Sequence, residues 1–225
     1  MNKHINTLIV EDEVLTINGL TIILEQIGNS EADLSFQIKS ATNCDVANEI
    51  IEKAILEQPI DLVLLDINIP ASKDRTLVSG EDLGNKIREV FPHVKIIVYT
   101  SHNNNYRLNN ILMTVNPDAF LIKNEICMTD LTKAVKMVLN GNIYYSNSIL
   151  NLARLHISSD FTLDRTNRQI LHLLSKGIKT KDLTEYINLS KGGIERRKRA
   201  LKEIFSVEHK DDGALLMEAS KKGFI

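Results

Sequence analysis

The stretch Ile60-Asp61-Leu62-Val63-Leu64-Leu65-Asp66 sets an apolar run directly before an acidic side chain. A continuous run of this kind suits a strand covered on both faces, as in a parallel sheet, where ligands gather beyond the carboxyl ends of the strands. Leu8-Ile9-Val10 ends in the same way, in Glu11-Asp12. Three carboxylates converging on one sheet edge repel one another unless a cation or a reaction partner compensates. That points to a site for Mg²⁺ and a phosphoryl group.

Outward from this stretch, short apolar runs alternate with amphipathic segments. The apolar runs are Thr7–Val10, Phe36–Ala41, Leu62–Asp66, Lys95–Thr100 and Ala119–Ile122. The amphipathic segments between and after them are Val14–Gly28, Val46–Gln58, Gly80–Phe91, Tyr106–Val115 and Met128–Leu139, with Gly28, Pro59, Pro92 and Pro117 at the joints. Strand-then-helix repetition predicts an α/β fold, a doubly wound five-stranded parallel sheet with right-handed crossovers.

A chain of 225 residues is better read as two domains than as one. The net charge of −2 conceals an asymmetry: residues 1–160 carry 13 basic and 20 acidic side chains, and residues 161–225 carry 14 and 9. An acidic first part suits a cation, and a basic second part suits a polyanion such as DNA. We therefore expect a first, α/β domain over 1–140, a linker with room for a short helix over 141–160, and an all-α domain over 161–225. No apolar stretch precedes Glu11 that would serve as a signal peptide or membrane span, so a cytoplasmic protein is expected. Cys44 and Cys127 are too isolated for a disulfide framework or a metal knuckle and read as small core residues.

Beyond Phe161 the pattern is helical. Thr162 or Asp164 can cap a helix that ends near Gly177, Lys179–Ile187 forms a second, and Ser190 caps a third. The short turn Asn188-Leu189-Ser190 suits a helix-turn-helix. The third helix carries Lys191, Arg196, Arg197, Lys198, Arg199 and Lys202, which cannot all share one face.

The first 140 residues resemble the receiver domain of two-component response regulators. Glu11-Asp12, Asp66, Thr100 and Lys123 stand in that family's order, each ending a predicted strand. The resemblance implies that Asp66 accepts a phosphoryl group from a sensor histidine kinase. It also implies that Glu11, Asp12, Asp66 and the backbone carbonyl of Asn68 hold Mg²⁺. The chemistry agrees, because a carboxylate attacks a charged phosphoryl group only when the oxygens are neutralised and positioned in line. Lys123 supplies a compact charge for a phosphoryl oxygen, and Thr100 a hydroxyl that can follow the group after transfer. Phe120 occupies the place of the family's switch aromatic without the hydroxyl of the commoner Tyr. His102, two residues past Thr100, reads as a surface histidine, the alternative being a residue that tunes hydrolysis.

One departure concerns spacing. The family carries a Gly about four residues past a Pro, whereas Ala71–Ser79 separates Pro70 from Gly80 here. This extended loop either shapes partner choice and phosphoryl lifetime or is solvated filler.

Residues 161–210 resemble the LuxR-type helix-turn-helix domain of the NarL and FixJ branch, through Leu171-His172-Leu173-Leu174-Ser175-Lys176-Gly177 and Ile187-Asn188-Leu189-Ser190. By position, Lys191, Glu195 and Arg196 would face the major groove of double-stranded DNA, and Arg197, Lys198 and Arg199 the backbone. Gly192-Gly193 weakens the start of that helix. The implied protein is a homodimeric transcription regulator rather than an enzyme. Two rivals stand beside it: a receiver acting by protein contact alone, and an aspartyl-phosphate hydrolase. The hydrolase would need a carboxylic acid two residues past Asp66, where Asn68 stands.

Overall fold

The computed structural model describes residues 3–30, 34–102, 104–157 and 163–225. Thr162, one of the two candidate caps, lies outside them. Contacts divide the chain into two units, Met1–His102 with Ile111–Ile149, and Asn103–Asn110 with Leu150–Ile225.

In the first unit the parallel sheet runs β2 (Leu34–Ala41), β1 (Lys3–Val10), β3 (Leu62–Leu65), β4 (Lys95–Thr100), β5 (Ala119–Ile122) and β6 (Tyr144–Tyr145). The order reverses between β1 and β3, and this switch point is where open α/β sheets place their ligand crevice. β3 and β5 are buried at every position, so their apolar runs are covered on both faces. The expected five strands become six. Within 141–160, Tyr144-Tyr145 pairs with Ala119 and Phe120 and covers the edge of β5, and helix α6 (Asn147–Ile157) follows. Two residues were too short a strand to register as a period-two pattern.

Five helices alternate with the strands: α1 (Val14–Ser30), α2 (Cys44–Leu56), α3 (Gly80–Val90), α4 (Asn105–Thr114) and α5 (Met128–Leu139). α1 buries Leu20, Ile23, Leu24 and Ile27, and α5 buries Leu131, Ala134, Val135 and Val138, which is the i, i+3, i+4, i+7 stripe in both. These stripes close one core with Ile5, Ile9, Leu62, Leu64, Ile97 and Leu121.

Cys44 is buried and Cys127 exposed, which corrects the core reading of the second. Cys127 precedes the first turn of α5, where its N–H donates to Asp130 Oδ2 at 3.0 Å. At this capping position the backbone and thiol of Cys127 serve the first turn of α5 instead of the core.

In the second unit, α7 (Arg165–Ser175), a 3-10 turn (Thr180–Glu185), α8 (Lys191–Ile204) and α9 (Asp212–Lys221) surround Leu171, Leu183, Ile194, Leu201, Leu215 and Phe224. Asp164 caps α7 by accepting from Asn167 N–H at 2.7 Å, and Ser190 caps α8 by accepting from Gly193 N–H at 3.2 Å. The helix expected over Lys179–Ile187 is the 3-10 turn, shorter and tighter. The tail packs here: Phe224 sits edge-on to Phe205 at 5.7 Å, and Asn109 Nδ2 donates to Gly223 O at 2.8 Å.

Candidate functional site

Sheet register assembles the site. Val10 pairs with Leu65, so Glu11 and Asp66 emerge side by side, and Asp66 N–H donates to Val10 O at 2.9 Å. Thr100 pairs with Ile122, so Lys123 emerges beside the end of β4. The side chains thus meet from three strand ends although 112 residues separate Glu11 from Lys123.

Lys123 Nζ donates to Glu11 Oε2 at 2.7 Å and to Asp66 Oδ2 at 2.8 Å. Its remaining side faces the Tyr99 ring, 5.0 Å from the centroid. Asp66 Oδ1 accepts from Asn68 N–H at 3.0 Å. Glu11 and Asp66 are buried and Asp12 is exposed, so the cluster opens to solvent on one side. Thr100 is fully buried, and its Oγ1 accepts from His102 N–H at 3.3 Å. Phe120 is fully buried in β5.

Burial pushes the Glu11 carboxyl above its usual range, and Lys123 only partly offsets that. For Lys123, burial alone would lower the ammonium, but hydrogen bonds to Asp66 and Glu11 outweigh it and raise the group. The two directions oppose each other across one contact. The raised Lys123 is the better guide, because the ammonium holds two carboxylates at hydrogen-bond distance and a neutral amine would leave both buried charges unbalanced.

Glu11, Asp12 and Asp66 each offer a carboxylate oxygen, and these oxygens lie within 4.8 Å of one another. Clustered hard donors that one ammonium neutralises incompletely fit a hard divalent cation that keeps several waters.

The loop after β3 is ordered by its own hydrogen bonds. Ser72 is buried and donates to Asp74 Oδ1 at 2.6 Å, while Leu77 N–H donates back to Ser72 Oγ at 3.0 Å. Asp74 Oδ1 also accepts from Thr76 N–H at 3.0 Å, and Lys73 N–H reaches Asp45 on α2 at 3.2 Å. The loop closes so that Gly80 returns to the backbone of Asp66. Neither this closure nor the approach of Tyr99 to Lys123 was anticipated from the residues. The only local signal for Tyr99 is its place before Thr100, on the opposite face of the strand.

In α8, Lys191, Glu195, Arg196 and Arg199 are exposed. Arg197 and Lys198 instead have partners within their unit. Arg197 Nη1 meets Asp164 Oδ2 at 2.7 Å and Asn167 Oδ1 at 3.0 Å, and Lys198 Nζ meets Thr180 Oγ1 at 2.7 Å and Asp212 Oδ2 at 2.9 Å. Burial would raise Asp212, but Lys198 and Lys202 hold its carboxyl below the usual range.

A parallel sheet with an acidic cluster and a lysine at its switch point defines a receiver. Residues 7–136, more than half of the chain, match the response regulator receiver domain, and the chain belongs to that family. It is 26% identical over 193 residues to the response regulator UvrY of Escherichia coli, covering 83% of this chain and 81% of UvrY. It is 25% identical over 202 residues to the oxygen regulatory protein NreC of Staphylococcus haemolyticus, covering 84% and 86%. The match to the Fimbriae Z protein of Salmonella typhimurium, 26% identical, spans 62% of this chain and 65% of that protein. Among solved structures, RcsB from Salmonella enterica serovar Typhimurium, bound to a promoter in the presence of phosphomimetic BeF3-, shares the fold. Its TM-score is 0.61 at 21% identity, over 97% of this chain and 98% of that one. No helix among the described residues is long and apolar enough to cross a membrane.

Proposed function

We propose that this chain is a phosphorylation-switched, DNA-binding transcription regulator. A sensor histidine kinase donates the phosphoryl group, and Asp66 accepts it. An Asp66 carboxylate oxygen bonds to phosphorus as the phosphorus–nitrogen bond of a phosphohistidine breaks, and the imidazole leaves with the electron pair and takes up a proton. The observation that carries this reading is the Lys123 ammonium bridging Glu11 and Asp66 at the sheet's switch point. Lys123 is placed to follow the charge from the carboxylate onto the phosphoryl oxygens. Glu11, Asp12, Asp66 and the carbonyl of Asn68 are the proposed Mg²⁺ ligands. When bound, Mg²⁺ neutralises the phosphoryl oxygens and aligns them for attack. After transfer, the Thr100 hydroxyl turns to the new phosphoryl group, and Phe120 repacks in the space this leaves.

The response leaves through the helical unit. Lys191, Glu195, Arg196 and Arg199 expose their side chains on the helix that Ser190 caps, which suits base-edge and phosphate contacts in a major groove. Arg197 and Lys198 reach phosphates only by giving up Asp164 and Asp212. The promoter complex of the RcsB relative supports DNA as the partner, and a two-fold homodimer would read half-sites about one helical turn apart. A cytoplasmic site of action follows from both partners. The protein then acts as a regulator and not as an enzyme, since Asn68 carries no acidic proton for a hydrolase.

The test is selection of DNA by the purified full-length protein with and without acetyl phosphate and Mg²⁺, beside Asp66→Asn. A defined sequence whose affinity responds to the donor only when Asp66 is present supports the reading. Binding no tighter than to random DNA in either state moves a receiver acting by protein contact ahead of it.

A further inference from the structure

The Lys123 ammonium is held on three sides: by Glu11, by Asp66, and by the face of Tyr99 at 5.0 Å. The first two holds are ionic. Both weaken during phosphoryl transfer, because Asp66 gives an oxygen to phosphorus and Glu11 is a proposed ligand of the cation. The attraction between an ammonium and an aromatic face needs neither carboxylate. Tyr99 is itself fixed in place: it lies on β4, paired in register with Leu121, and lines a cleft of about 380 Å³ with Leu20 and Ile23 of α1 and with Ile126 and Leu131.

We propose that Tyr99 is a positioning residue for phosphoryl transfer, its ring holding the Lys123 ammonium over Asp66 while the ionic contacts exchange. This rests on Asp66 being the acceptor, as proposed above. The ring performs the task through its face and not its hydroxyl, so phenylalanine suffices and an aliphatic side chain of similar bulk does not.

The experiment compares wild type, Tyr99→Phe and Tyr99→Leu in the full-length protein, following phosphoryl incorporation at Asp66 against acetyl phosphate concentration at saturating Mg²⁺. Tyr99→Phe is expected within about twofold of wild type. Tyr99→Leu is expected to lower the limiting rate by about three- to thirtyfold at little change in the half-saturating donor concentration, the range that a partly desolvated cation–aromatic contact supplies. In a Lys123→Met background the Leu change should add less than about twofold, since the ring acts only through the lysine. Equal losses for Phe and Leu, an unchanged Leu variant, or a full effect without Lys123 would each overturn the proposal.

A second readout needs no phosphoryl donor. Ring-current displacement of the Lys123 ε-methylene resonances should be present in wild type, persist when Mg²⁺ is added, and vanish in Tyr99→Leu. Its loss on adding Mg²⁺ to wild type overturns the proposal. Wild type that takes no phosphoryl group while keeping this signal overturns the acceptor role of Asp66 instead.

Discussion

A β carbon on Gly80 would lie 2.0 Å from the carbonyl oxygen of Asp66 and 2.8 Å from the α carbon of Ile67. Backbone atoms cannot give way as a flexible side chain can. The first turn of α3 therefore rests directly on the backbone of Asp66, and Gly80 N–H donates to Ile67 O at 3.1 Å. Gly80→Ala is expected to destabilise the first unit by about 1 to 3 kcal/mol, as overpacking does, and to slow phosphoryl uptake by moving Asp66. Urea unfolding together with acetyl phosphate kinetics checks both. A variant with wild-type midpoint and rate would show that α3 can shift away without cost.

The loop that returns the chain to Gly80 depends on Asp74. Hydrogen bonds from Ser72 Oγ and then from Thr76 N–H and Oγ1 hold its carboxyl down to about 2 from an ordinary 3.8. A depressed folded-state value means that the ionised carboxylate favours the ordered loop. That contribution is complete above pH 3.8 and is lost as pH falls through about 2. Carbon-13 titration of Asp74 should give a midpoint near the lower value; a midpoint near 3.8 would mean that the hydrogen-bonded ring does not persist in solution.

Mg²⁺ should stabilise the protein by mass action, by about 2.7 kcal/mol at a concentration one hundred times Kd. Glu11→Gln and Asp66→Asn each remove one of the three clustered carboxylates and should weaken that thermal shift while raising stability in the absence of metal, where fewer like charges face one ammonium. Scanning calorimetry at several Mg²⁺ concentrations decides it. An equal shift in wild type and both variants would place the ion elsewhere.

On α8 the exposed and the bonded basic residues should separate. Arg196→Ala and Arg199→Ala are each expected to lower the salt dependence of DNA binding by about one unit of slope if the residue meets a phosphate, or to relax base preference if it meets a base, at little change in stability. Arg197→Ala and Lys198→Ala should instead lower the thermal stability of the helical unit, since Asp164 then loses its contact with Arg197 and Asp212 keeps only Lys202. Reversed outcomes would mean that the side chains exchange partners on DNA.

Gly192 has open space where a β carbon would stand, whereas at Gly193 that carbon would come within 3.4 Å of Ser190 Oγ. Gly192→Ala should raise the stability of the helical unit by up to about 1 kcal/mol. No change in melting temperature would indicate that the first turn of α8 is already frayed.

Local residue order was sufficient to reveal the alternating α/β class and the acidic strand ends, because burial on both faces writes itself as an unbroken apolar run and helix amphipathicity as a stripe. The capping roles of Asp164 and Ser190 were legible for the same reason: a cap is a contact within three residues. Tertiary structure alone decided the rest. Parallel register, set by strand pairs far apart in sequence, brings Glu11 beside Asp66 and Lys123 between them. The sixth strand exists only because β5 offers it an edge. Arg197 and Lys198 look no different from Arg196 and Arg199 along the chain, and are distinguished only by Asp164 and Asp212 lying within reach once the helices pack. A linear sequence records which groups are present and their short-range spacing, while which distant groups meet is settled by the free energy of burying several elements against one core.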